Sequence, residues 1–463
     1  MSTLKTTNLQ SSDASSANII LGQGSGGGAT ISGVTTSSTL RATTGIVTTA
    51  TITTADVTTS RTTTGITTTA TIDTATVGGV TTLNSDGVNC TGISTAKVFV
   101  PTEGQLSNRN IIINGAMQVA QRGTTSGTEG YSTIDRFSNE EGSCDEVPTQ
   151  SQHDLTSSDT GPWAEGFRHS FHIQNGNQTS GAQAANFIKL TYQVEAQDMA
   201  TSGWNYTSTS SYITLSFWVK SSVAQNFYGR LATSDGTSMN YPFETGSLSA
   251  NTWTKITKTI PGNANISINN DNGAGLLVEW MTYRGGNTTS PSVSLNTWAA
   301  YASGTRTPDQ TSTWFTTNDA TWEITGVQLE VGSVTTPFEH RSYGDELRRC
   351  QRYFWQVIQD GSGTAAFVGS TSAYGSNYNI MMLANPVEMR DKCSALTTSG
   401  TAADYQLWGN GTVDDLSSVP SLRATSSKLQ TSVDVTHNIT AGDSRVLRIK
   451  GSTSAYLGFS AEF

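Results

Sequence analysis

The sequence predicts an all-β protein, and three observations support that fold class. Charged residues make up only 13% of the 463-residue chain, and 45 residues are glycine. Thr- and Ser-rich stretches between the glycines carry apolar residues at alternate positions, which is typical of short strands joined by turns. A helical period occurs in only one stretch, near residue 350. We therefore expect many short strands and one short helix.

Aromatic residues divide the chain sharply. The sequence contains 14 Phe, 14 Tyr and 10 Trp, yet the first of them is Phe99. Residues 1–98 therefore lack the bulky side chains that a globular core requires. The sequence predicts five successive segments: a joint at 1–40, a repetitive β-shaft at 41–107, a β-sandwich at 108–341, a linking helix at 342–358 and a small C-terminal β-domain at 359–463.

The shaft contains a 20-residue unit that occurs twice, as RATTGIVTTATITTADVTTS at 41–60 and RTTTGITTTATIDTATVGGV at 61–80. Its aliphatic residues are five or six positions apart in Thr-rich filling, a pattern that favours extended chain over helix. So few aliphatic side chains cannot offset the backbone entropy of ordering a lone repeat. We therefore predict a homotrimer that winds around a shared apolar axis, either as a triple β-spiral or as a triple-stranded β-helix. The predicted axis residues are Ile46, Ile52, Val57, Ile66, Ile72 and Val77.

Residues 108–341 are predicted to form an antiparallel β-sandwich of the jelly-roll kind. Apolar and polar residues alternate from Ile188 to Val194 and from Ile213 to Val219, which predicts strands with one buried face. In the last strand Trp322 and Val327 are out of phase with each other. A β-bulge at Gly326 would bring both residues to the core side.

Residues 345–358, DELRRCQRYFWQVI, are the predicted helix. Leu347, Cys350 and Phe354 fall on one stripe, and Asp345 is the expected N-cap. The arginines of this stretch lie away from the stripe, which indicates a solvated face or pairing with carboxylates of another chain, with a binding patch as the alternative. Residues 359–463 return to short strands.

The sequence offers no catalytic or metal-binding motif, and no cofactor is expected. It has no HExxH, no GxSxG and no Walker A lysine. His169 and His172 fall on opposite faces of a strand and cannot chelate one ion as a simple pair. The acidic group at residues 140–146 is interpreted as a solvated loop, with a calcium site or a pair of carboxylates for glycoside cleavage as alternatives.

Sugar binding fits the composition better, because flat aromatic rings stack on sugars while amides and hydroxyls bind sugar hydroxyl groups. Aromatic residues in polar surroundings are the candidates for a ligand platform, with core or trimer interface as the alternative for each. The ligand-binding residues predicted in this way are Trp280, Tyr283, Trp298, Tyr301, Trp314, Tyr374, Tyr378 and Trp408, and weaker candidates are Trp163, Trp204 and Tyr206.

Several motifs resemble those of a known family. The stretch NRNIIINGAMQVAQRG at 108–123 is followed by Asp135, Arg136 and Phe137, and ITGVQLEVG at 324–332 is followed by GDELRRCQRYF at 344–354. Together with YITLSFWVKSS at 212–222, these segments resemble the sandwich domain in tail fibres of tailed bacteriophages, especially marine, cyanophage-like ones. The resemblance implies a jelly roll similar to carbohydrate-binding modules. The resemblance covers residues 108–358, and it assigns no binding residues to this chain.

The sequence therefore predicts a trimeric viral tail fibre that recognises the host surface through a glycan or lipopolysaccharide. Residues 1–40 would join a tail or baseplate protein, and the protein would be made in the host cytoplasm and reside in the virion. A fibre-borne depolymerase and a capsid-attached structural fibre are the alternatives, although we expect no enzyme. The net charge of −10 argues against a nucleic-acid partner, and no apolar run is long enough to suggest membrane insertion.

Overall fold

The structure is a computed structural model that describes residues 107–358, 365–423, 427–437, 439–450 and 455–463. The predicted joint at 1–40 and almost all of the predicted shaft lie outside the described residues. The same holds for the predicted trimer axis, formed by Ile46, Ile52, Val57, Ile66, Ile72 and Val77.

Two six-stranded antiparallel sheets form a sandwich in the first half of the described chain. Its strands are β1 (Thr125–Ser126), β2 (Phe137–Gly142), β3 (Thr149–Asp154), β4 (His169–Gln174), β5 (Phe187–Glu195), β6 (Tyr212–Ser221), β7 (Asn226–Thr233), β8 (Met239–Ser247), β9 (Thr254–Pro261), β10 (Ala274–Arg284), β11 (Ala299–Ala300) and β12 (Thr321–Val331). The first sheet has the order β1-β3-β4-β12-β6-β9, and the second has the order β11-β8-β7-β10-β5-β2. The chain passes repeatedly between the two sheets, as in a jelly roll, and the predicted antiparallel β-sandwich is confirmed.

The inner faces of the two sheets pack a common apolar core. Phe217 and Ile324 of the first sheet meet Trp280 of the second, and all three are buried. Gly326 carries the predicted bulge: the pairing of β12 with β6 shifts between Thr325 and Gln328, and Gly326 has φ 63°. A Cβ on Gly326 would lie 2.7 Å from the Phe167 ring, so glycine is required there for space as well as for backbone conformation.

Two short helices, α1 (Ala196–Ala200) and α2 (Thr313–Thr316), connect strands of the sandwich, in addition to the one helix that was predicted. Both are a single turn or little more, which is below the length that a periodic sequence pattern can indicate. Each buries two apolar residues, so they serve as packed connections.

The predicted linking helix is shorter than expected. Helix α3 spans Tyr343–Gln351, and its N-cap is Ser342, whose hydroxyl accepts a hydrogen bond from the amide of Asp345. The prediction of Asp345 as the cap and of a helix extending to residue 358 is therefore wrong. Residues Phe354–Ile358 form strand β13 instead, because a partner strand a hundred residues further along the chain covers their hydrogen-bonding edge.

The rest of the chain forms two antiparallel sheets around a second core. Their further strands are β14 (Ala366–Gly375), β15 (Tyr378–Ala384), β16 (Ala395–Thr398), β17 (Tyr405–Gly409), β18 (Thr412–Asp415), β19 (Ser421–Arg423), β20 (Gln430–Thr436), β21 (Ser444–Ile449) and β22 (Tyr456–Ser460). The small sheet has the order β13-β22-β16, and the seven-stranded sheet has the order β18-β17-β21-β14-β15-β20-β19.

Buried charges connect the sandwich to the C-terminal β-domain. Arg136 has no solvent-exposed surface and donates to Glu462, which lies two residues after the end of β22. Its guanidinium also lies 3.4 Å from the centre of the Tyr353 ring. Arg122 bridges Glu462 and Asp135 at 3.4 Å each, and burial raises the pKa of Asp135 to about 6. These contacts hold the end of the small sheet against the sandwich.

A second pair at the same junction involves the end of α3. Arg352 donates to both carboxylate oxygens of Glu195, at 2.7 and 2.8 Å, and the hydroxyl of Tyr353 donates to the same carboxylate at 2.5 Å. Arg352, one of the arginines in the predicted helix, therefore pairs with a carboxylate of its own chain. Bidentate pairing of this kind fixes orientation as well as distance.

Within the described residues, no helix is long and apolar enough to cross a membrane.

The junction gives a first prediction. Replacing Glu462 by Gln leaves the buried guanidinium of Arg136 without its counter-charge, so the free energy of unfolding should fall by about 3 kcal/mol. Urea unfolding measures the change. The control Glu388→Gln alters an exposed carboxylate nearby and should change stability by less than about 0.5 kcal/mol. If both variants were equally stable, the buried pair would not hold the junction.

Candidate functional site

The seven-stranded sheet has one covered face and one open face. Met381, Leu407, Val433 and Leu447 point into the C-terminal core and are fully buried. Their neighbours along each strand point the other way, because side chains alternate across a strand. Within the described residues no layer of chain packs over this second face, which is therefore open to solvent.

The open face carries large apolar side chains. Tyr374 is 80% exposed, Met382 63%, Phe367 57%, Tyr378 55%, Trp408 47% and Val413 45%. We call these six residues the aromatic face. Surfaces of this kind on a folded domain mark binding sites more often than isolated exposed residues do.

Strand pairing brings one part of the aromatic face together at β17, β18 and β14. Trp408 lies opposite Val413 of β18, and it also lies opposite Val446 of β21. The rings of Trp408 and Phe367 are 5.7 Å apart and meet edge to face at 66°. The indole is therefore oriented by a neighbouring ring, while nearly half of its surface stays in contact with solvent.

Tyr374 and Tyr378 form a second part of the aromatic face, at the hairpin between β14 and β15. Tyr378 pairs with Gly375, and the register shift after Ala373 leaves Tyr374 in a bulge. Arg423 of β19 pairs with Asp434 of the neighbouring strand β20. Its ion pair with Asp434, at 2.8 Å, raises its pKa, and the two tyrosines contribute to the same shift.

Polar side chains cross the same face in a hydrogen-bonded row. Arg448, which lies opposite Phe367, donates to Gln406 at 3.0 Å, and Gln406 donates to Asp415 at 2.6 Å. The bond from Gln406 lowers the pKa of Asp415, so this carboxylate is an ionised acceptor at neutral pH and not a proton donor. Aromatic rings beside charged and amide groups are what recognition of a sugar requires.

Three of the predicted ligand-binding residues, Tyr374, Tyr378 and Trp408, thus share one open face. Phe367, Met382 and Val413 were missed by the sequence reasoning. Alternation signals only Met382, which follows the buried Met381, because Phe367 lies between half-buried residues and β18 contains no buried residue. Only strand pairing shows that these residues share a face.

Four other predicted residues are not accessible to a ligand, and the prediction is wrong for them. Trp280 packs 5.8 Å from Phe217 in the core, and Tyr283 stacks on Phe315 at 4.5 Å. Trp298 and Trp314 are also buried, and each indole N–H donates to a backbone carbonyl, at 2.7 and 3.0 Å. The inner sheet faces need large rings to fill the sandwich, and local sequence does not separate those rings from surface ones.

Tyr301, the remaining candidate, is 37% exposed and lies at the edge of the second sheet, on the segment that follows β11. Its ring is 5.5 Å from the guanidinium of Arg230 and 5.5 Å from that of Arg306. Among the weaker candidates Trp204 is buried, and Trp163 lies under Arg168 at 3.7 Å.

The residues of the acidic loop are bound to protein donors. Glu140 pairs with Lys189 at 2.9 Å, and Asp145 accepts from the amide of Ser180 at 2.6 Å, which lowers the pKa of Asp145. In the described part of the chain, no group of three or more His, Cys, Asp or Glu residues could hold a metal ion. The alternative of a calcium site in this loop therefore has no support from the geometry.

His153 of β3 and His172 of β4 lie beside a buried carboxylate on the outer face of the first sheet. Glu323 accepts from the Nδ1 of His153 at 3.0 Å, from Ser170 at 2.7 Å and from Lys220 at 2.9 Å. His172 lies 5.3 Å from the ring of His153. The bond to Glu323 raises the pKa of His153, whereas burial lowers that of His172.

No sequence family matches this chain, and no curated protein matches it. Among solved structures, it is similar to the enzymatically active domain of bacteriophage CBA120 tailspike protein 4, at 10% identity over 48% of this chain and 21% of that chain, with a TM-score of 0.25. It is also similar to the N-terminal cellulose-binding domain of Cellulomonas fimi β-1,4-glucanase C, at 8% identity over 47% of this chain and 99% of that chain, with a TM-score of 0.23. A third is the family 11 carbohydrate-binding module of Clostridium thermocellum in complex with a mixed-linked tetrasaccharide, at 11% identity over 46% of this chain and 97% of that chain, with a TM-score of 0.21. At these TM-scores the likenesses assign neither a family nor a function to this chain.

The two histidines give a second prediction. In an NMR titration His153 should titrate above its usual value of 6.5 and His172 below it. Replacing Glu323 by Gln should lower the pKa of His153, because the carboxylate that stabilises the imidazolium is lost while Lys220 remains. Stability that comes from this bond is fully present below pH 6.5 and is lost as pH rises through the raised pKa.

The matched control is Glu330→Gln, which changes another buried carboxylate of β12 that bonds to Thr336 instead. It should leave the titration of His153 unchanged. An identical effect of both variants would show that the net charge of the sheet, and not the bond to Glu323, sets the pKa of His153.

Proposed function

We propose that this protein is a homotrimeric tail fibre of a virus particle that recognises its host by binding a surface glycan through the aromatic face. The observation that carries the proposal is an open sheet face on which six exposed apolar side chains lie beside a hydrogen-bonded polar row. The 20-residue repeat and the absence of aromatic residues before Phe99 support the fibre. The N-terminal segment would join a tail or baseplate protein.

The chemistry of the aromatic face suits a sugar better than an apolar partner. Trp408 and Phe367 offer ring surfaces on which the apolar face of a sugar can stack. Arg448 and Asp415 lie on the same face, in a row beside Trp408, and can bind sugar hydroxyl groups there. A purely apolar interface would instead remove these charges from water without offering them a counter-charge.

Three copies in one fibre would strengthen weak binding. A single shallow sheet face gives modest affinity, because a ligand on it remains largely in water. Three such faces held by one trimer raise the effective concentration of the second and third contacts without any new interaction. The proposed oligomer and the proposed binding mode therefore support each other.

We further propose that the protein binds the glycan without cleaving it. Asp415, the carboxylate in the polar row, has a lowered pKa and cannot serve as the acid of a glycosidase at neutral pH. A depolymerase would require an acid held neutral near its working pH. When the protein is incubated with the polysaccharide that it binds, size-exclusion chromatography should show no change in the chain length of that polysaccharide.

The aromatic face gives a third prediction. The double variant Trp408→Ala and Tyr378→Ala removes a ring from each part of the face, and each ring contact is worth about 1 kcal/mol. An array of bacterial capsular polysaccharides and lipopolysaccharides identifies the glycan that the unaltered protein binds. The apparent affinity of the double variant for that glycan should be lower by about tenfold or more. Point variants are preferable to deleting residues 359–463, since that deletion would also remove Glu462 from the junction.

The control for this experiment is Tyr343→Ala, which removes an equally exposed tyrosine from the start of α3. Binding by the control should match that of the unaltered protein. If the double variant dissociated into monomers while the control did not, the aromatic face would be an interface between copies, and the assignment of a glycan site to it would be wrong.

The repeat gives a fourth prediction, that the full chain is a trimer. Native mass spectrometry should show a mass three times that of the 49.0 kDa chain. Replacing Ile52 and Ile72 by Asp places charges at the predicted axis and should abolish the trimer. Replacing Thr53 and Thr58 by Asp is the matched control in the Thr-rich filling, and a folded monomer of the unaltered chain would refute the oligomer.

A further inference from the structure

Three cations surround one buried carboxylate on the outer face of the second sheet. Glu279 is buried at the centre of this face, where Lys189 pairs with it at 2.7 Å and Arg230 also donates to it. Arg284 lies 3.9 Å from the same carboxylate. Burial raises the pKa of Glu279, and the three cations lower it. The cations have the larger effect, so the pKa of Glu279 is lowered.

A bulge in β10 turns Arg284 toward this cluster. Residues 279 and 284 would point to opposite faces of a regular strand, because side chains alternate. The pairing of β10 with β5 shifts between Met281 and Tyr283, which restores Tyr283 to the core and brings Arg284 to the face of Glu279. The bulge thus adds a third cation to the face that already carries Lys189 and Arg230.

Arg306 is a fourth cation near this face. It lies on the segment that covers β8, and its guanidinium is 5.5 Å from the ring of Tyr301, as is that of Arg230. Lys189, Arg230 and Arg284 pair with Glu279, and Lys189 also pairs with Glu140, whereas Arg306 has no ion-pair partner in the described part of the chain. Two further carboxylates of this face, Glu244 and Asp309, lie beside Tyr228 and accept from Asn226 and Thr289.

The cluster also has hydrogen-bond donors without acceptors. Arg284 is 2% exposed, and its Nε and Nη2 have no hydrogen-bond partner among the described residues, nor has the Nε of Arg306. Burial and the nearby positive charges of Arg306 and Arg230 lower the pKa of Arg284 to about 10, although Glu279 opposes them. Buried donors of this kind are costly unless a partner is supplied.

A cavity of about 290 Å³ opens beside the cluster, between β8 and the covering segment. Ala300 and Thr305 line it and are the chain neighbours of Tyr301 and Arg306. Asn240 also lines the cavity and connects it to the cations, since it accepts from Arg230 at 3.2 Å and donates to the carbonyl of Arg306 at 3.0 Å. The volume is at the lower end of the range of about 300–1,000 Å³ for ligand pockets, which suits a single sugar residue.

We propose that this face, at Arg306 and Tyr301, binds the anionic group of an acidic saccharide. The guanidinium of Arg306 offers paired donors to a carboxylate, sulfate or phosphate oxygen, and the Tyr301 ring stacks on the sugar that carries the group. The proposal rests on the proposed function, because it names the class of glycan that the fibre recognises. It places a second contact on the sandwich, separate from the aromatic face.

Small anions test the proposal on the full chain. Sodium glucuronate should raise the midpoint of thermal unfolding by about 2–4 °C more than glucose with sodium chloride at the same ionic strength. Sulfate and phosphate are compared in the same way. If one of them raises the unfolding midpoint and glucuronate does not, the anionic group belongs to a sulfated or phosphorylated saccharide. Arg306→Gln should lose the shift, and Arg306 is half-buried, so this variant should fold.

The matched control is Arg168→Gln, which also removes an arginine that lies over an aromatic ring, but on the other sheet. It should keep the full shift. The proposal is overturned if no anion exceeds chloride, or if Arg306→Gln responds as the unaltered protein does. Loss of polysaccharide binding in the Trp408 and Tyr378 double variant would then leave the proposed function standing while this inference fails.

Discussion

The buried pair of Arg136 and Glu462 is the interaction on which the arrangement of the described chain depends. Arg136 has no exposed surface, and the carboxylate that neutralises it belongs to Glu462, which lies 326 positions later in the chain. The sandwich therefore contains a charge that only the C-terminal β-domain can satisfy. Because an unpaired buried guanidinium is costly, the two domains are expected to fold as one cooperative unit.

This coupling gives the seven-stranded sheet a fixed base. One face of the sheet is closed by the C-terminal core, and β13 joins the small sheet directly after helix α3, where Arg352 and Tyr353 bind Glu195 of the sandwich. The open face is thereby held in a set orientation to the sandwich. A rigid base matters for the proposed binding, since aromatic rings that are already positioned lose little entropy when a sugar stacks on them.

The two proposed contacts use different physics and lie on different domains. The aromatic face offers ring surfaces in water, where affinity per contact is small and repetition in a trimer matters. The outer face of the second sheet offers the buried Arg284 and the half-buried Arg306, whose unpartnered donors favour one anionic group. Together they would let one fibre select for both the shape and the charge of a host polysaccharide.

The sequence by itself determined the fold class and the phase of the strands, because alternation is a local property. It indicated the Gly326 bulge, since a glycine marks the point where Trp322 and Val327 fall out of phase. It could not separate Trp280 from Trp408, because burial depends on which strand lies opposite. Only the tertiary structure decided that Phe354–Ile358 is a strand, and that Arg284 faces Glu279 through a bulge without any glycine to mark it. In each of these cases the deciding partner lies far away in the chain, where no local pattern reaches.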